Sequence, residues 1–377
     1  MNILHIASYY ISSKVYKELI NAIYENNKEI EQQVYVPLKR KQLFGKNIIE
    51  DNKKIKILYS KVHNQCDRIF YNIKINKSYK DVQKKVKMDF VDFMYAYTVF
   101  ADGGVAYKIN KKYGIPYIIV VRNSDINGYL KKMPFAKRYL ERIVKNAKKV
   151  IFISPSMKKD LEKNLKNSEI IRNLQKKSVI IPNGINEFWH ESNKKAKLLA
   201  DDKKLRLIQV STLDKNKNLY ATIDLVKKLN KMGYSTFLTI VGEGPLEKAY
   251  KRYAIKQGMQ EKIKFEHYIS DKEILRKLYC QQDIFVMLSK TETFGLVYIE
   301  AMSQGLPIIY SKNTGIDGYF KDGQVGFSID SNTMQEDIRQ NIEELINNYE
   351  KISRENIELS SQFKWKDIAN KYLNLMV

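Results

Sequence analysis

The chain is poor in the residues that staple, break or anchor a fold. Its 377 residues hold two cysteines, Cys66 and Cys280, too far apart and too few for a disulfide framework or a thiolate metal site, and both are expected to be packed thiols. Four scattered histidines form no ligand cluster. Seven prolines and 16 glycines exclude collagen-like and low-complexity architectures. Long hydrophobic runs are missing as well: segments such as Ile115–Val121 and Val150–Ile153 are strand-length, far below the roughly 20 residues needed to cross a bilayer. Residues 1–6 enter an apolar run directly, with no basic leader and no small-residue cleavage site, so a cytoplasmic location is expected.

Acid is also scarce beside base. The net charge is +24, and it is unevenly placed: residues 1–186 hold 37 Lys+Arg against 16 Asp+Glu, a net +21, whereas the remainder carries +3. One strongly basic half implies a polyanionic partner, either nucleic acid or anionic lipid head groups. No recognised nucleic-acid-binding motif is present and the aromatic residues are dispersed, so no nucleic-acid partner is expected. The candidate docking segments are Lys39-Arg40-Lys41 beside Leu43-Phe44, Lys84-Lys85 and Lys87 near Phe90, and Lys131-Lys132 with Lys137-Arg138 around Met133-Pro134-Phe135.

The length favours two domains. Strand-like runs alternate with amphipathic stretches nearly throughout, which predicts helices wrapped on mainly parallel sheets, an α/β class. Strands are expected at 2–7, 33–36, 56–60, 93–96, 117–121, 150–153 and 178–181, with helices over 14–26, 105–113 and 137–145. The pattern breaks at Asn183-Gly184-Ile185-Asn186 and a lysine-rich stretch, then restarts with strands at 205–211, 237–241, 263–265, 284–288, 307–310 and 326–329. Two doubly wound domains, 1–186 and 187–361, are therefore predicted to face a central cleft at the carboxyl ends of their strands.

The segment from Ser289 to Pro307 carries the most chemistry. It follows a buried strand, passes a polar loop, opens a helix near Gly295 and closes it at Gly305 before Pro307. The backbone N–H groups of Phe294, Gly295 and Leu296, with Thr293 beside them, would suit an anion such as a diphosphate. Glu292 in the loop and Glu300 about two turns further along can both reach a ligand lying at the helix start.

This string resembles the Glu-x7-Glu signature of retaining glycosyltransferases of the GT-B fold, family four in particular. The resemblance extends over most of the chain, through Pro182-Asn183-Gly184-Ile185, Gly242-Glu243-Gly244-Pro245, Asn313-Thr314-Gly315-Ile316 and Phe363-Lys364-Trp365. It implies that Glu292 holds the donor sugar, Glu300 the ribose hydroxyls, and Gly242 and Glu243 a donor loop. It also implies a C-terminal helix, about 362–377, crossing back to the first domain. The family's basic pair on the diphosphate is half present: Lys217 matches the lysine, Thr212 replaces the arginine, and Lys215 or Lys290 is a possible substitute. Arg122 stands where the family places a histidine that touches the sugar, with Asp125 as its partner or as an acceptor contact. Asp102-Gly103 either lines the cleft or starts a helix, and Ser12 and Ser13 replace a glycine-rich turn near the phosphates.

The resemblance implies transfer of a sugar from a nucleoside diphosphate to a hydroxyl of a lipid-linked or glycan acceptor, with retention; no Asp-x-Asp motif stands at a strand end, so no essential metal or other cofactor is expected. Placed on the inner face of a membrane, such an enzyme would serve cell-surface polysaccharide or glycolipid synthesis. The departures at Arg122 and Thr212 leave a catalytically silent membrane scaffold as the alternative, and the basic half leaves a nucleic-acid-binding protein.

Overall fold

The computed structural model describes all residues except 51, 66, 68, 69, 134, 135, 166, 167, 192–194, 331 and 377. Cys66 and the Pro134-Phe135 pair of the third docking segment lie outside the described residues. Cys280, expected to be packed, is exposed.

The chain divides into two compact units. The first comprises Met1–Ile153, Met157–Gly184 and Trp365–Val377; the second comprises Ser154–Ser156 and Ile185–Lys364. The first contains a seven-stranded parallel sheet of β1 (Asn2–Ile6), β2 (Glu31–Leu38), β3 (Ile55–Lys61), β4 (Phe93–Ala96), β5 (Tyr117–Val120), β6 (Lys149–Phe152) and β7 (Ser178–Ile180), in the order β3-β2-β1-β4-β5-β6-β7. The register places Ile3 between Gln32 and Phe93. Strands β4 and β5 are buried at every residue, as continuous apolar runs require when helices cover both faces. His5 is a satisfied core histidine rather than a ligand: its ring nitrogens meet Tyr97 Oη at 2.9 Å and Gln32 Oε1 at 3.0 Å, and burial lowers its pKa to about 3.

Helices α1 (Val15–Asn26), α2 (Tyr71–Lys85), α3 (Ala101–Tyr113), α4 (Ala136–Asn146), α5 (Pro155–Lys163) and α6 (Ser168–Lys177) connect the strands. α2 has no counterpart in the sequence reading. Its buried stripe is narrow, with Tyr71, Ile75, Ser78 and Val82 set in a lysine-rich segment, and such a pattern resembles a solvated linker.

The second unit holds a six-stranded parallel sheet of β8 (Lys204–Val210), β9 (Ser235–Val241), β10 (Ile263–Glu266), β11 (Ile284–Met287), β12 (Ile308–Ser311) and β13 (Gly326–Ile329), ordered β10-β9-β8-β11-β12-β13. Its helices are α7 (Leu219–Lys231), α8 (Glu247–Lys256), α9 (Lys272–Gln281), α10 (Leu296–Met302), α11 (Gln335–Asn347) and α12 (Tyr349–Ser360).

The last helix, α13 (Trp365–Asn374), belongs to the first unit and packs on α1. Asn26 Nδ2 donates to Lys366 O at 2.7 Å, and the buried Tyr95 hydroxyl donates to Tyr372 O at 2.6 Å. In each sheet the strand order reverses beside the first strand, between β1 and β4 and between β8 and β11. Loops after these strands flank the crevice where open α/β sheets bind ligands.

Candidate functional site

In the second unit the loop after β8 is zipped to the loop after β11. Asn216 Oδ1 accepts from the Thr291 hydroxyl at 2.7 Å, its Nδ2 donates to Thr291 O at 2.8 Å, and its carbonyl accepts from the Lys290 amide at 2.8 Å. Asp214 folds the first loop by accepting the amides of Asn216 and Lys217 and the Thr212 hydroxyl. Thr212 is therefore occupied within its own loop. The zipper places Lys217 Nζ 2.5 Å from Glu292 Oε2, both side chains being largely buried. Glu292 is anchored independently: its amide donates to Thr314 Oγ1 at 2.7 Å, and its carbonyl accepts from the Gly315 amide at 3.1 Å. Ser154 and Ser156, which belong to this unit, brace the same turn by donating to Thr293 O and Gly315 O. Asn216, Thr314, Ser154 and Ser156 were not among the predicted site residues. Asn216 and Thr314 lie inside segments the resemblance covers, which is the signal that could have found them.

Gly295 precedes α10 with φ +89°, and a Cβ there would fall 2.4 Å from the Tyr298 ring, so glycine is required. The helix has only seven residues, which makes its dipole weaker than the sequence reading assumed. The amides of Phe294, Gly295 and Leu296 nonetheless find no acceptor among the described residues. The Phe294 ring itself is core, packed 5.5 Å from Tyr319 and from Phe363, so only its backbone is available. Gly242 serves packing: its Cβ would sit 2.0 Å from Ser211 O. Glu243 is exposed and accepts from the Tyr268 amide at 3.3 Å. Lys215 and Lys290 are exposed, without a side-chain partner among the described residues.

Glu300 stands on the face of α10 that meets Trp189. Burial pushes its carboxyl up to about 7, against the pull of Lys272 and a hydrogen bond from Trp189. Glu300, expected to meet ribose hydroxyls, thus also has a protein partner in Trp189.

In the first unit Arg122 follows β5. Its guanidinium lies 5.1 Å from the Tyr16 ring centroid, and its buried Nε and Nη2 have no hydrogen-bond partner among the described residues. Asp125, the expected partner or acceptor contact, instead caps backbone. Fully buried, it accepts the amides of Arg122 at 2.9 Å, Val99 at 3.0 Å and Phe100 at 3.3 Å, and burial raises its pKa to about 6. Asp102 accepts from the amide and hydroxyl of Ser8, tying the loop after β1 to the first turn of α3. Gly103 packs against Ile119 and Ile143. Ser12 donates to Tyr9 O at 2.6 Å, and Ser13 accepts from the Val15 amide at 3.3 Å, so both hold a local turn.

A cavity of about 690 Å3 opens at the carboxyl ends of β1 and β2, lined by Ser8 and Tyr9 rather than by Ser12 or Ser13. Its wall joins apolar Ile11, Leu38 and Met133 to Lys39, Lys74 and Lys132. Two of the predicted docking segments, around Lys39 and Lys132, thus meet at one place.

Residues 190–359 match the family model described as Glycosyl transferases group 1, a span that contains Lys217, Glu292 and Glu300. The chain is 29% identical over 324 residues to a probable sucrose-phosphate synthase of Thermosipho melanesiensis, covering 80% of this chain and 73% of that one. It is 26% identical over 276 residues to the alpha-monoglucosyldiacylglycerol synthase of Acholeplasma laidlawii, covering 68% and 67%. Among solved structures, Anabaena HepE in complex with UDP and glucose superposes with a TM-score of 0.66 at 15% identity, covering 99% of this chain and 98% of that one. With both parallel sheets and the Glu292–Lys217 pair inside the matched span, residues 190–359 are similar to the group 1 glycosyltransferases, and the chain has the GT-B fold.

Proposed function

We propose that the chain transfers a hexose, with retention and without an essential metal, from a nucleoside diphosphate to a hydroxyl of a lipid-linked or glycan acceptor, at an anionic membrane surface facing the cytoplasm. The observation that carries this reading is the half-buried Lys217–Glu292 pair, held by Asn216 and Thr314, with the amides of residues 294–296, which meet no acceptor among the described residues, beside it. As the bond from the sugar carbon to the diphosphate breaks, its electron pair goes to the departing phosphate oxygen. Lys217 supplies positive charge where that negative charge gathers. Glu292 is then free to hold sugar hydroxyls, and Glu300 those of the ribose. HepE was crystallised with UDP and glucose, which supports a uridine donor, and the Acholeplasma relative is a glycolipid synthase, which supports a lipid acceptor. Incubating the purified protein with UDP-glucose and UDP-galactose, with and without EDTA, tests the reading. Release of UDP unaffected by the chelator is expected, and no turnover of any sugar nucleotide would leave only a silent scaffold.

The Glu300 carboxyl adds a pH signature. Its folded pKa, about 7, lies above the ordinary 4.5, so it contributes stability below pH 4.5 that is lost as pH rises through 7. Glu300→Gln, permanently neutral, should match the wild-type Tm near pH 5 and exceed it at pH 8, by up to about 3 kcal/mol of stability. Its UDP affinity should fall at pH 8, where the ionised wild-type carboxylate accepts both ribose hydroxyls. The wild-type to variant affinity ratio cancels the diphosphate's own titration, and a ratio flat from pH 5 to pH 8 would remove Glu300 from the ribose.

Membrane attachment rests on the charge asymmetry and on exposed Phe44, Phe70, Ile73 and Phe90 among the lysines of the first unit. Each basic residue near an anionic surface contributes about 1 kcal/mol, and screening acts over a length of about 10 Å at 0.1 M salt. Sedimentation with phosphatidylglycerol vesicles should therefore be strong at low salt and lost at high salt, and absent with phosphatidylcholine. Equal, salt-insensitive behaviour on both would overturn the attachment.

A further inference from the structure

We infer that the cavity of the first unit is a site for a phosphate ester carried on an apolar chain, with Lys39, Lys74 and Lys132 taking the phosphate and Ile11, Leu38 and Met133 taking the chain. The inference rests on the glycosyl-transfer reading only in naming this ligand the acceptor. The cavity and its lysines lie outside the span matched by the family model.

Charge is the first argument. Among the described lining residues three ammonium groups face a single acid, Asp67, and that carboxylate is already taken: Oδ1 by Lys77 Nζ at 2.7 Å and Oδ2 by the Asn64 amide at 2.8 Å. Lys74 Nζ reaches only the Tyr129 hydroxyl, at 3.3 Å, and Lys39 and Lys132 have no side-chain partner among the described residues. Three cations converging on one cavity repel one another until an anion enters, and a phosphate oxygen array meets ammonium groups from several directions. A neutral sugar hydroxyl calls for no such arrangement.

The second argument is that the wall adds no further charge. His63, only 6% exposed, lines the cavity; its Nε2 meets the Ser78 hydroxyl at 3.1 Å and its Nδ1 faces Asp67 Oδ2 at 3.6 Å. Burial and the neighbouring Lys74 lower its pKa to about 4, so it is neutral at physiological pH and leaves the three lysines as the charge a ligand meets.

The third argument separates a lipid from a sugar phosphate. Ile11, Pro37, Leu38, Leu43 and Met133 line the cavity beside the lysines, and Phe44, the residue after Leu43, is 40% exposed. Such an apolar wall suits an alkyl tail and offers a hexose phosphate nothing to bond.

Calorimetry on the full chain with monomeric dihexanoyl phosphatidic acid, dihexanoylglycerol and fructose 6-phosphate tests the inference. Phosphatidic acid should bind at least tenfold more tightly than either of the others. The double variant Lys39→Gln/Lys132→Gln, at two exposed positions, should lose at least tenfold for phosphatidic acid and nothing for dihexanoylglycerol. Fructose 6-phosphate binding as tightly as phosphatidic acid would assign the cavity to a sugar phosphate and overturn the lipid. Equal binding of dihexanoylglycerol, or an unchanged double variant, would overturn the phosphate. UDP titrated into the same preparation separates the two readings: UDP bound without phosphatidic acid overturns the cavity assignment alone, and phosphatidic acid bound without UDP overturns the donor assignment alone.

Discussion

Glu292→Ala should bind UDP more tightly than the wild type while losing about a thousandfold in transfer, two opposite effects of one substitution. The opposition follows from the 2.5 Å contact between Lys217 Nζ and Glu292 Oε2. An arriving diphosphate must take Lys217 from its carboxylate. Removing the carboxylate removes that competition, worth roughly 1 kcal/mol or about a fivefold gain in affinity. The same carboxylate is the group assigned to the sugar hydroxyls, and losing a positioned hydrogen-bonding group from a reacting centre costs about 10^2 to 10^3 in rate. Calorimetry with UDP and turnover with the sugar nucleotide read the two effects separately. Weaker UDP binding with near-normal turnover would show that Glu292 only orders the loop.

Arg122→Ala should lower transfer by at least about a hundredfold and leave the Tm unchanged or raised. Most buried arginines are paired, and removing one leaves its partner's charge exposed to a low dielectric. Here Asp125 is satisfied by three backbone amides, whereas Nε and Nη2 of Arg122 are left without a hydrogen-bond partner among the described residues. The substitution therefore relieves a desolvation cost and gives up the contact with Tyr16, worth about 1 kcal/mol, and the attraction to Asp125, which is the least of the effects that hold its carboxylate charged. Arg122→Lys should not restore activity, because a point charge cannot reproduce the planar fork. A drop of several degrees in Tm with unaltered turnover would make Arg122 a structural residue.

The strands of both sheets were legible because parallel strands covered on both faces are written as uninterrupted apolar runs, and such runs end where the site loops begin. Arg122 could be placed at a strand end for that reason. Its relation to Asp125 could not, because the amides that occupy Asp125 belong to Val99 and Phe100, some 25 residues earlier, and depend on where α3 starts. The pairing of Asn216 with Thr291, 75 residues apart, is likewise a product of strand order, β8 lying beside β11. Glu292 and Glu300 were found by their spacing, but the hydrogen bond from Trp189 to Glu300 joins segments that share no local pattern. Lys39, Lys74 and Lys132 were legible only as members of a basic half; three separate loops and helices bring them to one cavity.

The return of α13 to the first unit has a consequence for the order in which the chain is made. Residues 1–184 leave the ribosome long before Trp365–Asn374, yet the helix that covers α1 and the carbonyl that Tyr95 awaits arrive only with that later segment. The second unit, almost wholly contiguous, can close while the earlier one is still missing a wall. A nascent chain therefore carries an unsealed, lysine-rich amino-terminal half through most of translation, and its repulsive charge guards the open apolar seam against other nascent chains until the final turns arrive.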